Sequence, residues 1–263
     1  MRTPLFQLDA FTTTRFAGNP AAVMPMDAFP SDDVMQALAA ENNLSETAFV
    51  VPDGSGYLLR WFTPTVEVPL CGHATLASAA VVMERLEPGR RSVVFSTASG
   101  PLTVDRTDGG YRMDLPAHRS TRVEDPVGFA AALGTEPVEV WQNAANLLAV
   151  LPDAATVRAL APDQDAVRAL TPGQSGLVVT APGDDGYDVV SRYFAPAKGI
   201  PEDPVTGGAH CTLTPYWAER TGRTTFRAYQ ASPRGGSLTC TLVGERVHLE
   251  GAVVFYLEGH ADV

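Results

Sequence analysis

The chain has 263 residues, 45% of them hydrophobic, and 19 Lys and Arg stand against 30 Asp and Glu for a formal net charge of -11. That length suits one large domain or two of half the size, and the composition is that of a globular chain rather than a disordered one. The acidic balance speaks against nucleic acid or an anionic membrane as partner, because no cationic excess is available to hold either.

Cys71, Cys211 and Cys240 follow no metal-ligand spacing and read as reduced thiols of a cytoplasmic protein. The first residues build no signal-peptide core, and no apolar run is long enough to span a bilayer. Cytoplasmic location and the absence of membrane contact are therefore expected.

Residues 5–11 alternate loosely as a strand, a Gly18-Asn19-Pro20 turn follows, and residues 20–25 form a second strand. Ser31 is placed to cap a helix carrying Val34, Met35 and Leu38, with Asp32 and Asp33 at its positive end. Strands are predicted over 47–51 and 57–62. A helix from Gly72 to about Leu86 has no polar face and should be enclosed on all sides. Strands near 93–95, 102–104 and 111–115 close the first half.

The second half repeats the plan. Strands are predicted over 138–141 and 146–151, then helical sequence over 153–170 broken by Pro162. Residues 177–187 mirror residues 47–57. Arg192-Tyr193-Phe194-Ala195-Pro196 then repeats Arg60-Trp61-Phe62-Thr63-Pro64. A second apolar helix runs from Ala209 to about Glu219, where Pro215 removes a backbone bond and should kink it. Four further strands end the chain.

A duplicated α+β protein follows. It has two pseudo-symmetric lobes, each a mostly antiparallel, barrel-like sheet wrapped around a central apolar helix. The N-terminal lobe is expected over 1–116, completed by the last strand at about 252–263, and the C-terminal lobe over 117–251.

Both central helices open on glycine, at Gly72-His73-Ala74 and at Thr206-Gly207-Gly208-Ala209. The first amides of a helix lack intrahelical partners and lie at its positive end, so two such ends suggest a carboxylate-bearing ligand. For either helix alone, ordinary capping with no ligand is the better account of the sequence. On local sequence Glu46 reads as a solvated loop glutamate, His73 as either a site residue or a capping or core histidine, and Asp203 and Asn19 as turn residues.

Four stretches together change that balance. Gly18-Asn19-Pro20-Ala21-Ala22-Val23, Asn43-Leu44-Ser45-Glu46-Thr47-Ala48-Phe49, Cys71-Gly72-His73-Ala74-Thr75 and Glu202-Asp203-Pro204-Val205-Thr206-Gly207 resemble the phenazine-biosynthesis isomerase family, in its order and over nearly the whole chain. The resemblance implies the fold of diaminopimelate epimerase, with the active site in a cleft between lobes. It also implies a cofactor-free proton transfer on a small carboxylic acid, and a homodimer. Glu46 would be the general acid/base, with His73 and Asp203 as its polar partners. Asn19, Ser45, Gly72, Thr206, Gly207 and Gly208 would bind substrate.

The residue chemistry is compatible with these roles. Glu46 abuts an apolar strand, where partial removal from water should raise a carboxyl pKa. The helix dipole should keep His73 neutral.

Epimerases of this fold use two thiols, and here Cys71 faces Thr206 in the repeat. A threonine hydroxyl is far too weak an acid to replace a thiol, so two-thiol chemistry is not expected. A racemase using Cys71 alone and a non-catalytic binding protein are the alternatives.

Cys211 and Cys240 are placed in the core. Where the family often has Thr-Gly-Ser, this chain has Thr206-Gly207-Gly208, which leaves backbone amides to bind. His118, His248 and His260 form no ligand pattern, so no metal is expected. Lys198, the sole lysine, sits in a loop, and a Schiff-base role for it is disfavoured. Arg60 and Arg192 either face the substrate or pair with nearby acids.

Overall fold

The computed structural model describes residues 2–173 and 175–263; Met1 and Gln174 lie outside the described residues. Strands β1 (Arg2–Ala10) and β2 (Asn19–Pro25) lead into helix α1 (Asp32–Asn42). Strands β3 (Glu46–Asp53), β4 (Gly56–Phe62) and β5 (Glu67–Val68) then reach helix α2 (Gly72–Val81). Next come β6 (Ser92–Thr97), β7 (Gly100–Thr107), β8 (Gly110–Pro116) and β9 (Thr121–Val123).

Helix α3 (Phe129–Leu133), strands β10 (Glu139–Gln142) and β11 (Asn146–Val150), and helices α4 (Ala154–Ala159) and α5 (Gln164–Leu170) follow. The chain continues through β12 (Gly176–Pro182), β13 (Val189–Phe194) and α6 (Gly207–Thr221). It ends with β14 (Thr225–Gln230), β15 (Gly236–Val243), β16 (Arg246–Gly251) and β17 (Val253–Asp262).

Two compact units result, one formed by residues up to Asp114 and from Glu250 onward, the other by Leu115–Leu249. In the first, the strands pair in the order β17-β1-β2-β3-β4-β6-β7-β8, with β2–β3 and β4–β6 parallel and the rest antiparallel. In the second, the order is β9-β10-β11-β12-β13-β14-β15, with β11–β12 and β13–β14 parallel. Over the first six pairs the two successions of parallel and antiparallel pairing are the same, so β3 corresponds to β12, β4 to β13 and α2 to α6. The chain is thus α+β, with mixed sheets dominated by antiparallel pairs.

Side chains alternate across each sheet with period 2. In the first unit Met24, Phe49 and Val51 pack with Met35 and Ala39 of α1. The intervening residues of β2 and β3 therefore face the other side, where α2 packs against β1, β2, β3 and β17. Every residue of α2 from His73 to Val81 is buried, as its uniformly apolar sequence requires. Asn19 and Glu46 share the parity of the α2-facing positions and stand at the first residues of β2 and β3.

The second unit repeats this. Leu177, Val179 and Ala181 pack with α3, α4 and α5, and Thr180, on the opposite face, accepts a 3.1 Å hydrogen bond from Trp217 Nε1 of α6.

The helical segment opened by α2 reaches Leu86 as expected, α-helical to Val81 and π-helical over Val82–Leu86. Other local expectations are corrected. Ser31 occupies the N-cap of α1, but its side chain makes no capping hydrogen bond. Asp153 and Asp163 do cap, accepting from Thr156 N and from Asp165 and Ala166 N, which starts α4 and α5 on either side of Pro162. Helix α3 and strands β5 and β9 are too short to leave a periodic signal.

Helix α6 runs on through Pro215. Proline cannot donate to the carbonyl four residues back, and that carbonyl, Cys211 O, accepts from His118 N at 2.9 Å. Cys71, Cys211 and Cys240 are all buried free thiols. Among the described residues no helix is long and apolar enough to cross a membrane.

Candidate active site

The candidate site in the first unit is assembled where β2, β3 and α2 all begin. Parallel pairing of Ala21 with Glu46 sets the starts of β2 and β3 side by side. Gly18 makes the approach to Asn19 possible: its φ is +66°, and a Cβ there would lie 2.2 Å from Ala10 O. Pro20 then holds Asn19 extended. Cys71 occupies the N-cap of α2 without capping it, so the first amides of the helix have no capping partner from that side chain.

His73, the second residue of α2, is the hub. Its Nε2 lies 3.1 Å from Glu46 Oε2, with the two side chains only 5% and 12% exposed. The pair is in contact without regular hydrogen-bond geometry between these two atoms. On the other edge of the ring, Nδ1 is 3.1 Å from Asn19 Nδ2 and 3.5 Å from Cys71 Sγ.

Burial works against a charged ring here, but Cys71 and Glu46 outweigh it, and His73 is raised well above its ordinary value. The helix dipole was expected to keep the ring neutral; a carboxylate in contact with it is a stronger local field than the dipole. Burial, with Glu46 adding to it, pushes the Cys71 thiol up to about 11, His73 only partly opposing. Cys71 is therefore a thiol at neutral pH.

Glu46, Cys71 and His73 are the one group of metal-ligating side chains that lie close together among the described residues. As arranged, Cys71 meets Nδ1 while Glu46 meets Nε2. A single ion could use only one of those ring nitrogens, and one ligand atom from each of the three residues lies within 4.8 Å of the other two.

The corresponding positions of the second unit hold none of this chemistry. Glu46 corresponds to Gly176, where a Cβ would come within 2.1 Å of the Tyr193 hydroxyl oxygen. His73 corresponds to Gly208, where a Cβ would meet open space. Cys71 corresponds to Thr206, the N-cap of α6.

The structure instead gathers Asp203, Thr206 and Gln230. The Thr206 hydroxyl donates to Asp203 Oδ2. The fully buried Gln230 accepts from Thr206 N at 2.9 Å and donates to Asp203 O at 2.7 Å. Gln230 had no sequence signal, being the polar end of an otherwise ordinary strand. Tyr193, also missed, is raised by burial and then by Asp203, and it accepts from Lys198 Nζ at 3.1 Å.

Of the remaining candidates, Ser45 and Gly72 are half-buried beside Glu46 and His73 in the chain, and Gly207 is buried in the first turn of α6. Both arginines pair with acids. Arg60 meets Glu67 and Asp32 on the surface. Arg192 meets Glu202 through Nε at 2.7 Å and Nη2 at 2.8 Å, and donates to Leu160 O at 2.6 Å.

Comparison with known proteins shows the family of the chain. Residues 8–260 match the family model described as phenazine biosynthesis-like protein. A Pseudomonas aeruginosa protein named as an uncharacterized isomerase is 48% identical over 98% of each chain. The crystal structure of a phenazine biosynthesis protein of the PhzF family from Enterococcus faecalis superposes with a TM-score of 0.95 at 44% identity, covering 100% of both chains. A predicted epimerase from Pseudomonas aeruginosa shares the fold with a TM-score of 0.75 at 23% identity, over 98% of this chain and 99% of that one. The chain belongs to the phenazine biosynthesis-like family.

Proposed function

We propose that the protein is an isomerase that moves a proton within a small carboxylic acid, with Glu46 as the general acid/base. The observation that carries the reading is the near-buried contact of Glu46 Oε2 with His73 Nε2 at 3.1 Å. It lies at the opening of α2, in a unit whose counterpart has glycine at both equivalent positions. Relatives named as isomerases support the reaction class.

In the proposed step, Glu46 removes a proton from a carbon next to a carbonyl or conjugated acid. The C–H electron pair moves into the conjugated system as the carboxyl O–H forms. Glu46 then returns the proton to another carbon of that system, so no electrons are gained or lost. His73, in contact with the carboxyl, steadies its charge through the cycle. The amides opening α2 are suited to a substrate carboxylate, with Gly72 leaving room for close approach and Ser45 adding a hydroxyl.

The start of α6 is proposed as an anion-binding helix end of the same kind. There Gly207 and Gly208 supply amides, and Asp203 and Gln230 hold Thr206 in place. Asp203 acts in this reading as a polar partner to the substrate.

Incubating the protein with unsaturated and 2-oxo acids in deuterated water, followed by NMR, tests the reading. Deuterium should enter at least one acid, and Glu46→Gln should abolish its entry. Uptake unaffected by that substitution would refute the role of Glu46. The homodimer belongs to the same proposal: light scattering should give twice the 27.9 kDa of one chain, and a monomer would remove it.

A further inference from the structure

Asn19 is fully buried, and its Nδ2 lies 3.1 Å from His73 Nδ1. In this amide orientation Nδ2 faces the ring, and because a carboxamide NH2 can donate but has no lone pair available to accept, Nδ1 is the acceptor at this contact. An imidazole that accepts at Nδ1 carries its proton on Nε2, the atom that faces Glu46 Oε2.

We propose that Asn19 is a positioning residue: its amide holds His73 as the Nε2–H tautomer, so that the ring presents an N–H to the Glu46 carboxylate. The inference rests on the reading of Glu46 as the proton mover, and it assigns Asn19 a task beyond contact with substrate. With an N–H opposite it, the carboxyl oxygen has a donor that steadies negative charge while Glu46 exchanges the proton with carbon. A ring with its proton on Nδ1 would instead turn a lone pair toward Glu46 and offer no such donor.

The groups around the ring make this control necessary. The titratable side chains acting on His73 are Glu46 from β3, whose carboxylate draws a further proton onto it, and Cys71 from the α2 N-cap, a thiol 3.5 Å from Nδ1. That proton would land on Nδ1, against the hydrogens of Asn19. Asn19 opposes it by donating where the second proton would sit.

The second unit shows that the pairing is not a by-product of the shared framework. Asn146 begins β11 as Asn19 begins β2, but it pairs with Gly176 where Ala21 pairs with Glu46, and it donates to Thr212 Oγ1 at 3.0 Å. The position equivalent to His73 is there Gly208. Among the described residues, the contact of an asparagine amide with a histidine ring lies in the unit that also has Glu46.

Nitrogen-15 NMR of the free protein tests the proposal without any substrate. The His73 signals are identified among the five histidines by their loss in His73→Gln. The neutral ring should show a protonated Nε2 and an unprotonated Nδ1. Asn19→Asp, which places an acceptor against Nδ1, should raise the pH at which His73 titrates by about one unit or more. It should also lower activity with a matching displacement of the pH–rate profile.

A protonated Nδ1 in the neutral ring of the native protein would overturn the proposal, as would an unmoved titration in a folded Asn19→Asp variant. If that variant does not fold, the native tautomer alone decides. Failure of Glu46→Gln to affect exchange would sink the catalytic reading while leaving the tautomer as measured, so the two failures are distinguishable.

Discussion

Cys71 separates proton transfer by carboxylate from proton transfer by thiol, and the structure allows the difference to be worked out. The thiol is 7% exposed and its pKa is pushed up to about 11 by burial and by Glu46. At pH 7.5 that leaves about one thiolate in 3,000 molecules, against about one in 30 for an unperturbed thiol of pKa near 9. A base so rarely ionised is a poor agent for removing a proton from carbon.

Cys71→Ser retains a donor beside His73 Nδ1 and removes the sulfur; Cys71→Ala removes the donor as well, at a packing cost of about 1 kcal/mol. Turnover of an acid identified by deuterium uptake should fall less than about tenfold in the serine variant, well below the 10²–10⁴-fold that a general acid/base supplies. Iodoacetamide should label Cys71 far more slowly than a free thiol. Losses of about 10³-fold or more in both variants, with circular dichroism unchanged, would refute the reasoning and establish thiol chemistry.

Other consequences are structural. Glu202→Gln leaves Arg192 without its carboxylate where the two side chains are only 10% and 15% exposed, and should cost about 3 kcal/mol in urea unfolding. Glu67→Gln, at the equivalent exposed pair, should cost about 1 kcal/mol or less, and equal costs would contradict the assigned difference in burial. Gly176→Ala drives a methyl group into Tyr193 and should destabilise by about 1–3 kcal/mol. Gly208→Ser enters open space and should leave the melting temperature unchanged or higher; a matching drop in both would show that the sites do not differ.

His210 is pushed down to about 4 by burial. Its neutral form is carried at no cost above pH 6.5, and stability should fall as the pH drops from 6.5 toward 4, because the unfolded chain binds the proton first. The loss is about 3 kcal/mol. His210→Gln should flatten that part of the stability curve, and an unchanged slope would assign the acid sensitivity elsewhere.

The order of elements was legible because the strands are apolar, the turns carry glycine and proline, and α2 has no polar face. Residues 47–57 and 177–187 repeat in sequence and occupy β3 and β12, corresponding strands. What could not be read was which side chains meet. Nothing local joins Asn19, Glu46 and His73; they converge because parallel pairing of Ala21 with Glu46 and the packing of α2 bring three element starts to one point.

The direction in which His73 is shifted could not be read for the same reason, since the helix dipole is visible in sequence and a carboxylate 27 positions away is not. Gln230 and Tyr193 left no trace because their roles depend on Asp203, Thr206 and the missing side chain of Gly176. The arginines stayed ambiguous until Glu67 and Glu202 were seen to take them.

The central claim is that one carboxylate, Glu46, carries the proton. Its most direct test is the rate of solvent deuterium entry into a turned-over acid, compared between the native protein and Glu46→Gln at equal folded concentration. A loss of about 10²-fold or more with binding of the acid retained is predicted; a rate within a few-fold of the native one would contradict it.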